Sequence, residues 1–354
     1  MVLSYLLLKY PYKLAWNALN IIKERKQSVF YAEDYLDMVV FKSVQKYLAE
    51  LPIVAKNKVV ANSFQPAYNP MKIYPVYPKA IITCRHVCHK FPEKRIVKFG
   101  MRHGAYHFKR LTNANNYNAF TKYFMTSQHE VDIAKKIGIN TAVAVGYPKL
   151  DPAFNGEISQ QDLSILSNHL GFSNNKKSVL FTATWDKSGM SAIDAWIDKL
   201  DSLTEAFNVM VTVHPWTSTH YKKKLIESQN IHFLSTSDTL AYLMLADCVV
   251  GDTSSILAEA CALDKPIITY ETKETKRSLD EISDLIKSIS YQIDPSQDIL
   301  NYLNFAIENK DEFRDNRQKA NIIMFDKLDG KAGERAAKII LEYLPELDKR
   351  CIDS

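Results

Sequence analysis

Five residues, Gly251-Asp252-Thr253-Ser254-Ser255, follow an apolar run that ends at Val250 and precede a helical pattern. A helix N-terminus presents free N–H donors and a partial positive charge. Hydroxyls beside it add further donors, so this segment could hold a phosphate. Thr253 or Ser254 would equally serve as a plain helix cap. Glu259 stands one turn on, where it could meet a ribose or a base, or be an ordinary first-turn acid. His214-Pro215-Trp216 follows an apolar run ending at Val213. Protonated, His214 could neutralise a phosphate; neutral, it could donate one hydrogen bond. A buried structural histidine is the plainer alternative.

A third segment, Gly100-Met101-Arg102-His103-Gly104, follows a run ending near Phe99 and leads to His107, Lys109 and Arg110. Its two glycines suit a tight, close-approach loop. His103 is a candidate general base for a hydroxyl, with an ordinary imidazole pKa near 6.5 suited to neutral pH. Arg102, Lys109 and Arg110 add cationic charge; a basic surface loop with incidental histidines has the same composition. Gly146-Tyr147-Pro148-Lys149-Leu150-Asp151 and Thr184-Trp185-Asp186 also follow apolar runs, and each alone reads as a surface turn. Cys84-x-His86-x-Cys88-His89 has zinc-ligand residue types, but structural zinc sites pair such a cluster with a second one, and none is evident, so no metal and no cofactor is expected. There is no P-loop, Rossmann glycine fingerprint, HExxH or Gly-x-Ser-x-Gly elbow.

These loops need elements to hold them. In the second half, short β-rich runs at 178–183, 209–213, 231–234, 248–250 and 266–270 alternate with helical patterns at 192–207, 221–228, 239–246 and 255–262. That order implies a parallel sheet covered by helices on both faces, and the runs are nearly all apolar, as such burial requires. The first half repeats the pattern less regularly, with strand candidates at 29–31, 53–55, 80–83, 96–99, 123–126 and 141–145 and helices at 36–51 and 130–137. The last third reads as helical at 279–288, 299–309 and 333–344. The expected fold class is α/β: two Rossmann-like parallel-sheet domains, 1–155 and 156–354, facing a cleft, with a helical C-terminal tail. Ligands of such sheets bind beyond the carboxyl ends of the strands, so residues just after each strand are the ones to read.

The chain has 354 residues, enough for two cores. Residues 1–150 hold 23 Lys+Arg against 8 Asp+Glu, a net +15, and the remainder holds 22 against 32, a net −10. A basic front half suggests a polyanionic partner. Residues 3–22 could form a helix lying on a membrane surface or one packed on its own domain. The first eight residues are too short a run for a span and lack a basic signal-peptide start. Five scattered cysteines do not make a disulfide framework, which points to a cytoplasmic setting.

Taken together, the loops resemble the CDP-glycerol glycerophosphotransferase family of teichoic-acid and capsule synthesis, over roughly 95–275. His103-Gly104 with Lys109 is similar to the family's Trp-His-Gly-x-x-x-Lys, and Gly146 to Asp151 to its Gly-Tyr-Pro-Arg-x-Asp. Thr182-Ala183-Thr184-Trp185-Asp186 is similar to Ala-Pro-Thr-Trp-Arg-Asp, His214-Pro215 to His-Pro, Asp252-Thr253-Ser254-Ser255 to Asp-Tyr-Ser-Ser, and Lys265 to Tyr270 to Lys-Arg-Pro-Ile-Ile-Phe-Tyr. Arg102 stands for the family's Trp, Ala183 for its Pro and Thr253 for its Tyr, and the step to Lys109 is one residue longer. The resemblance implies a GT-B fold and transfer of glycerol phosphate from CDP-glycerol to a hydroxyl on a lipid-linked or polymeric glycan, with release of CMP. It implies His103 and His214 as catalytic residues and Asp252, Thr253, Ser254, Ser255, Glu259, Thr184 and Lys149 on the donor. Arg102, Lys109 and Arg110 fall on the acceptor side. An anionic membrane surface, and not nucleic acid, is the expected polyanion, with the protein peripheral on the cytoplasmic face of the membrane. The Gly-Asp-x-Ser-Ser stretch also resembles UDP-N-acetylglucosamine 2-epimerases, so a sugar-nucleotide enzyme, or a non-catalytic nucleotide-binding module of this fold, is the alternative.

Overall fold

The computed structural model describes residues 3–21, 27–63, 72–105, 112–235, 238–272 and 280–349. Lys109, Arg110 and His107 lie outside them. The chain forms two units: Met1–His103, Asn113–Asp151 and Asp329–Ser354 make the first, and Gly104–Thr112 with Pro152–Leu328 the second.

The first unit carries seven strands: β1 (Ser28–Ala32), β2 (Ile53–Ala55), β3 (Lys72–Ile73), β4 (Ala80–Thr83), β5 (Val97–Met101), β6 (Lys122–Met125) and β7 (Ala142–Ala144). All pair in parallel, in the order β3-β2-β1-β4-β5-β6-β7. Strands β1 and β4 are buried along their whole length, which is why they read as unbroken apolar runs. The helix Tyr35–Gln45 opens on a capping box in which Asp34 accepts from Leu36 N–H and Asp37 returns to the cap backbone. It packs Phe41 on Phe30, ring centroids 4.6 Å apart. It stops at Gln45, short of the expected 36–51, and Leu48 instead bridges to Asp348.

The Gly146-to-Asp151 segment docks the C-terminal helix Ala332–Tyr343 within this unit. Asp151 accepts from the N–H groups of Ala332 (3.0 Å) and Gly333 (2.7 Å), orphans of the helix's first turn. Gly146, at φ +88°, turns the chain where any side chain would press on Ala332 and Arg335. Gly333 lets the helix cross so close to Ser43 that a Cβ would overlap the Ser43 carbonyl.

The N-terminal helix Leu3–Ile21 has two apolar faces. Tyr12 and Trp16 are buried and donate to the carbonyls of Val76 and Pro78. Leu7, Tyr10 and Leu14, on another face, are 73%, 71% and 71% exposed. Among the described residues no helix is long and apolar enough to cross a membrane.

The second unit carries β8 (Lys177–Ala183), β9 (Phe207–Val213), β10 (His232–Phe233), β11 (Cys248–Gly251), β12 (Ile267–Tyr270) and β13 (Tyr291–Ile293). They too are parallel, in the order β10-β9-β8-β11-β12-β13. In this doubly wound order the connections reverse direction between β8 and β11, and the crevice beyond their carboxyl ends is where such sheets take ligands. Trp196, Phe181, Leu200 and Leu303 are among the side chains that fill one core cluster. The expected helix 192–207 is three short turns, Ile193–Trp196, Ile197–Lys199 and Leu200–Leu203.

Candidate functional site

In the first unit, His103 follows β5. Its Nδ1 lies 3.2 Å from the Cys84 carbonyl oxygen. A carbonyl only accepts, so Nδ1 carries the proton and Nε2 the lone pair, the tautomer a base requires. Tyr147 holds the loop by donating its hydroxyl to the His103 carbonyl at 3.0 Å. The imidazole pKa is not the ordinary one expected. The protein mass around the ring, with Arg85 and Arg102 nearby, holds it down toward about 3, against the pull of the Cys84 carbonyl. His103 is nonetheless an exposed residue, so solvent screens part of this effect and the downward direction, rather than its full extent, is what holds.

Arg85 is the group sequence reading missed. It follows β4, beside β1, where this sheet's connections reverse. Its Nε donates to both oxygens of Asp37 (2.8 and 3.1 Å), and its Nη2 pairs with Asp34. Burial pushes the Asp37 carboxyl up to about 6, with Asp34 adding and Arg85 opposing. Arg102, expected on the acceptor side, turns inward instead. It pairs with fully buried Glu130, donates to the Tyr117 hydroxyl at 3.3 Å and lies over the Tyr117 and Tyr123 rings. A guanidinium held this way is an ion-pair partner of Glu130 with aromatic rings on its faces. Lys149 is buried in the turn Pro148–Leu150.

In the second unit, three loops meet at the carboxyl ends of adjacent strands. After β11, Ser255 is exposed, Ser254 half-buried, and the Thr253 hydroxyl is buried with no hydrogen-bond partner among the described residues. Ser254 Oγ lies 3.4 Å from Thr182 Oγ1 and 3.4 Å from the Ile256 N–H. The helix that follows is Ile256–Ala262, with Ser255 as its N-cap residue but no side-chain capping bond. The three hydroxyl residues line a cavity of about 40 Å³ with Ala105, Leu257 and Met324. Gly104, of the segment assigned to this unit, lies against the loop: a Cβ there would be 3.4 Å from Ser255 Oγ. Glu259 is buried on the helix's first turn.

Asp252 organises these loops. Its Oδ1 accepts from Thr184 N–H (3.1 Å) and Thr253 N–H (2.5 Å), and its Oδ2 from Thr184 (3.0 Å) and Ala192 (3.1 Å). Burial outweighs these donors and raises the carboxyl to about 6. A carboxylate so enclosed ties the loops after β8 and β11 together. Thr184 enters the site through this backbone bond.

After β9, His214 shows the opposite tautomer from His103. The Trp216 N–H donates to His214 Nδ1 at 3.1 Å, so a neutral ring carries its proton on Nε2. Asp186 fixes this turn against the β8 loop by accepting from Ser218 N–H (2.9 Å) and Oγ (2.6 Å). Trp216 and Trp185 pack edge to face at 5.6 Å, with Trp216 exposed.

The model of the CDP-Glycerol:Poly(glycerophosphate) glycerophosphotransferase family matches residues 88–342, more than two thirds of the chain, and takes in the loops that carry His103, Thr184, His214 and Ser254, though not Arg85. The chain belongs to that family. Teichoic acid ribitol-phosphate polymerase TarL of Staphylococcus aureus (strain NCTC 8325 / PS 47) is 24% identical over 168 residues, covering 44% of this chain and 30% of that protein. Teichoic acid poly(ribitol-phosphate) polymerase of Bacillus spizizenii (strain ATCC 23059 / NRRL B-14472 / W23) is 23% identical over 241 residues, covering 65% and 38%. The chain thus spans well under half the length of these curated relatives. The wall teichoic acid polymerase TagF superposes with TM-score 0.71 at 14% identity, over 96% of this chain and 98% of that one. That likeness shows a shared GT-B-like fold, as the resemblance of the loops implies.

Proposed function

We propose that the chain transfers glycerol phosphate, or a related polyol phosphate, from a CDP-linked donor to a hydroxyl acceptor of a teichoic-acid-type polymer. The acceptor oxygen attacks the distal phosphorus, the bond to the bridging oxygen breaks, and CMP leaves. His103 takes the acceptor proton on Nε2. The leaving phosphate needs charge stabilisation more than a proton, and the His214 Nε2–H with the Ser254 and Ser255 hydroxyls supplies it. A diphosphate exceeds the small cavity behind the hydroxyls, so it contacts the exposed side of Ser255. Membership of the family supports the donor class. The observation that carries the division of roles is the pair of opposite histidine tautomers, one ring with its lone pair on Nε2 and one with its proton there.

A low imidazole pKa makes His103 a weak base in the free protein. Arrival of an anionic donor and acceptor raises it, so proton affinity grows when substrate is bound. The acceptor is lipid-linked or polymeric, and the protein meets an anionic cytoplasmic membrane surface through its basic first 150 residues and the exposed Leu7, Tyr10 and Leu14.

The test is nucleotide release from CDP-glycerol, CDP-ribitol and UDP-N-acetylglucosamine, with and without a polyol-phosphate primer. Primer-dependent CMP from a CDP-polyol is the expected result. UDP from the sugar nucleotide, with no CMP, would reject the reading.

A further inference from the structure

A second cavity, about 530 Å³, opens on the first unit beside the helix Tyr35–Gln45 and the start of β2. Its size is that of a small-molecule site. It lies by Ile53, at the opening end of β2, and none of the residues assigned to transfer lines it. Phe30, Met38 and Phe41 line it from within. Lys42, Lys46 and Lys349 also line it, with Glu50 as the one carboxylate.

Two features of this rim call for explanation. Lys42 and Lys46 stand four residues apart, a spacing at which like charges on a helix repel. Burial and the neighbouring Lys42 charge hold the Lys46 pKa below the ordinary value, with Asp151 opposing. Lys349 joins them from the chain's far end and is fixed there by donating to the Lys46 carbonyl at 2.8 Å. Three ammonium groups around an aromatic floor complement a molecule with an apolar body and an anionic head. Lysines at a helix C-terminus also complement its dipole, but that role needs neither the cavity nor Lys349.

We propose that this cavity binds a single-chain anionic amphiphile, its chain on Phe30, Met38 and Phe41 and a phosphate-type head on Lys42, Lys46 and Lys349. The test is calorimetric titration of the full chain with dodecyl phosphate, dodecanol and inorganic phosphate, each below its aggregation limit. Dodecyl phosphate is expected to bind at least tenfold more tightly than either of the others. The double variant Lys42→Ala/Lys349→Ala removes two charged contacts and is expected to weaken it about tenfold or more, with CDP binding unchanged. Met38→Trp fills the cavity and is expected to block dodecyl phosphate; if that variant fails to fold, the surface lysine variant still decides. Equal binding of dodecanol and dodecyl phosphate, equal binding of inorganic phosphate, or an unaffected lysine variant would each overturn the proposal.

Discussion

Replacing Asp252 by asparagine tests whether one buried carboxylate organises the second unit's loops. Both oxygens are in use: Oδ1 takes Thr184 and Thr253, and Oδ2 takes Thr184 and Ala192. An amide has one oxygen. In either orientation its NH₂ faces a backbone N–H, that of Ala192 or that of Thr253, and one buried donor is orphaned at a cost of about 1–3 kcal/mol. The substitution also removes a charge. The folded carboxyl titrates at about 6, against about 3.9 when unfolded. The folded state therefore holds the proton more tightly. Stability from this group is full below about pH 4 and is lost as pH rises through 6, and the gap corresponds to about 3 kcal/mol. The amide lacks this slope. The difference in stability, wild type minus Asp252→Asn, should thus fall by roughly 2.4 kcal/mol between pH 4 and pH 7.5. Urea titrations followed by tryptophan fluorescence report mainly this unit, because Trp185, Trp196 and Trp216 lie in it and only Trp16 outside. Groups common to both proteins cancel in the difference. Parallel stability curves across that range would refute the assignment of Asp252 as a buried acceptor of raised pKa.

Other consequences are as direct. The acid limb of kcat/KM, which reports the free protein's base, should lie below the ordinary imidazole range; activity is lost as pH falls through the His103 pKa, and a limb near 6.5 or above would show a different base. Gly333→Ala places a Cβ on the Ser43 carbonyl, which is backbone and cannot give way; thermal denaturation should show a loss of about 3 kcal/mol or failure to accumulate. Leu7→Glu with Leu14→Glu should abolish salt-sensitive sedimentation with anionic vesicles and leave folding intact, since both side chains face solvent.

The parallel architecture was readable because its central strands are apolar on both faces. Runs such as 53–55 and 80–83 match β2 and β4 residue for residue. Strand β3, two residues long, and β13, three long with two half-buried, offer too little period to detect. The helix Arg314–Phe325 escaped because Arg314-Asp315-Asn316-Arg317-Gln318-Lys319 opens it with polar residues, although Arg317 is buried against Asp264. Site loops were found by position alone, after strands. What their side chains do was not, because the partners are remote in sequence. Asp252 binds N–H groups 68 and 60 residues away. Arg85 answers to Asp37 and Asp34, 48 and 51 residues away. His103 was expected to carry an ordinary pKa because local sequence shows neither the protein packed around its ring nor the approach of Arg85.

Calorimetric titration of CDP beside turnover separates the role of His103 from that of the serines. His103→Ala should lose about 10²–10⁴-fold in rate with CDP affinity nearly intact, because the base touches only the acceptor's proton. Ser255→Ala, and more mildly Ser254→Ala, should weaken CDP binding through the loss of donors to a charged oxygen, each contributing roughly 1.5–3 kcal/mol. His214→Ala should do both, since charge on the leaving phosphate is present in the ground state and grows in the transition state. If His103→Ala instead loses CDP affinity as severely as the serine variants, His103 is a donor ligand and the proposed division of roles is wrong.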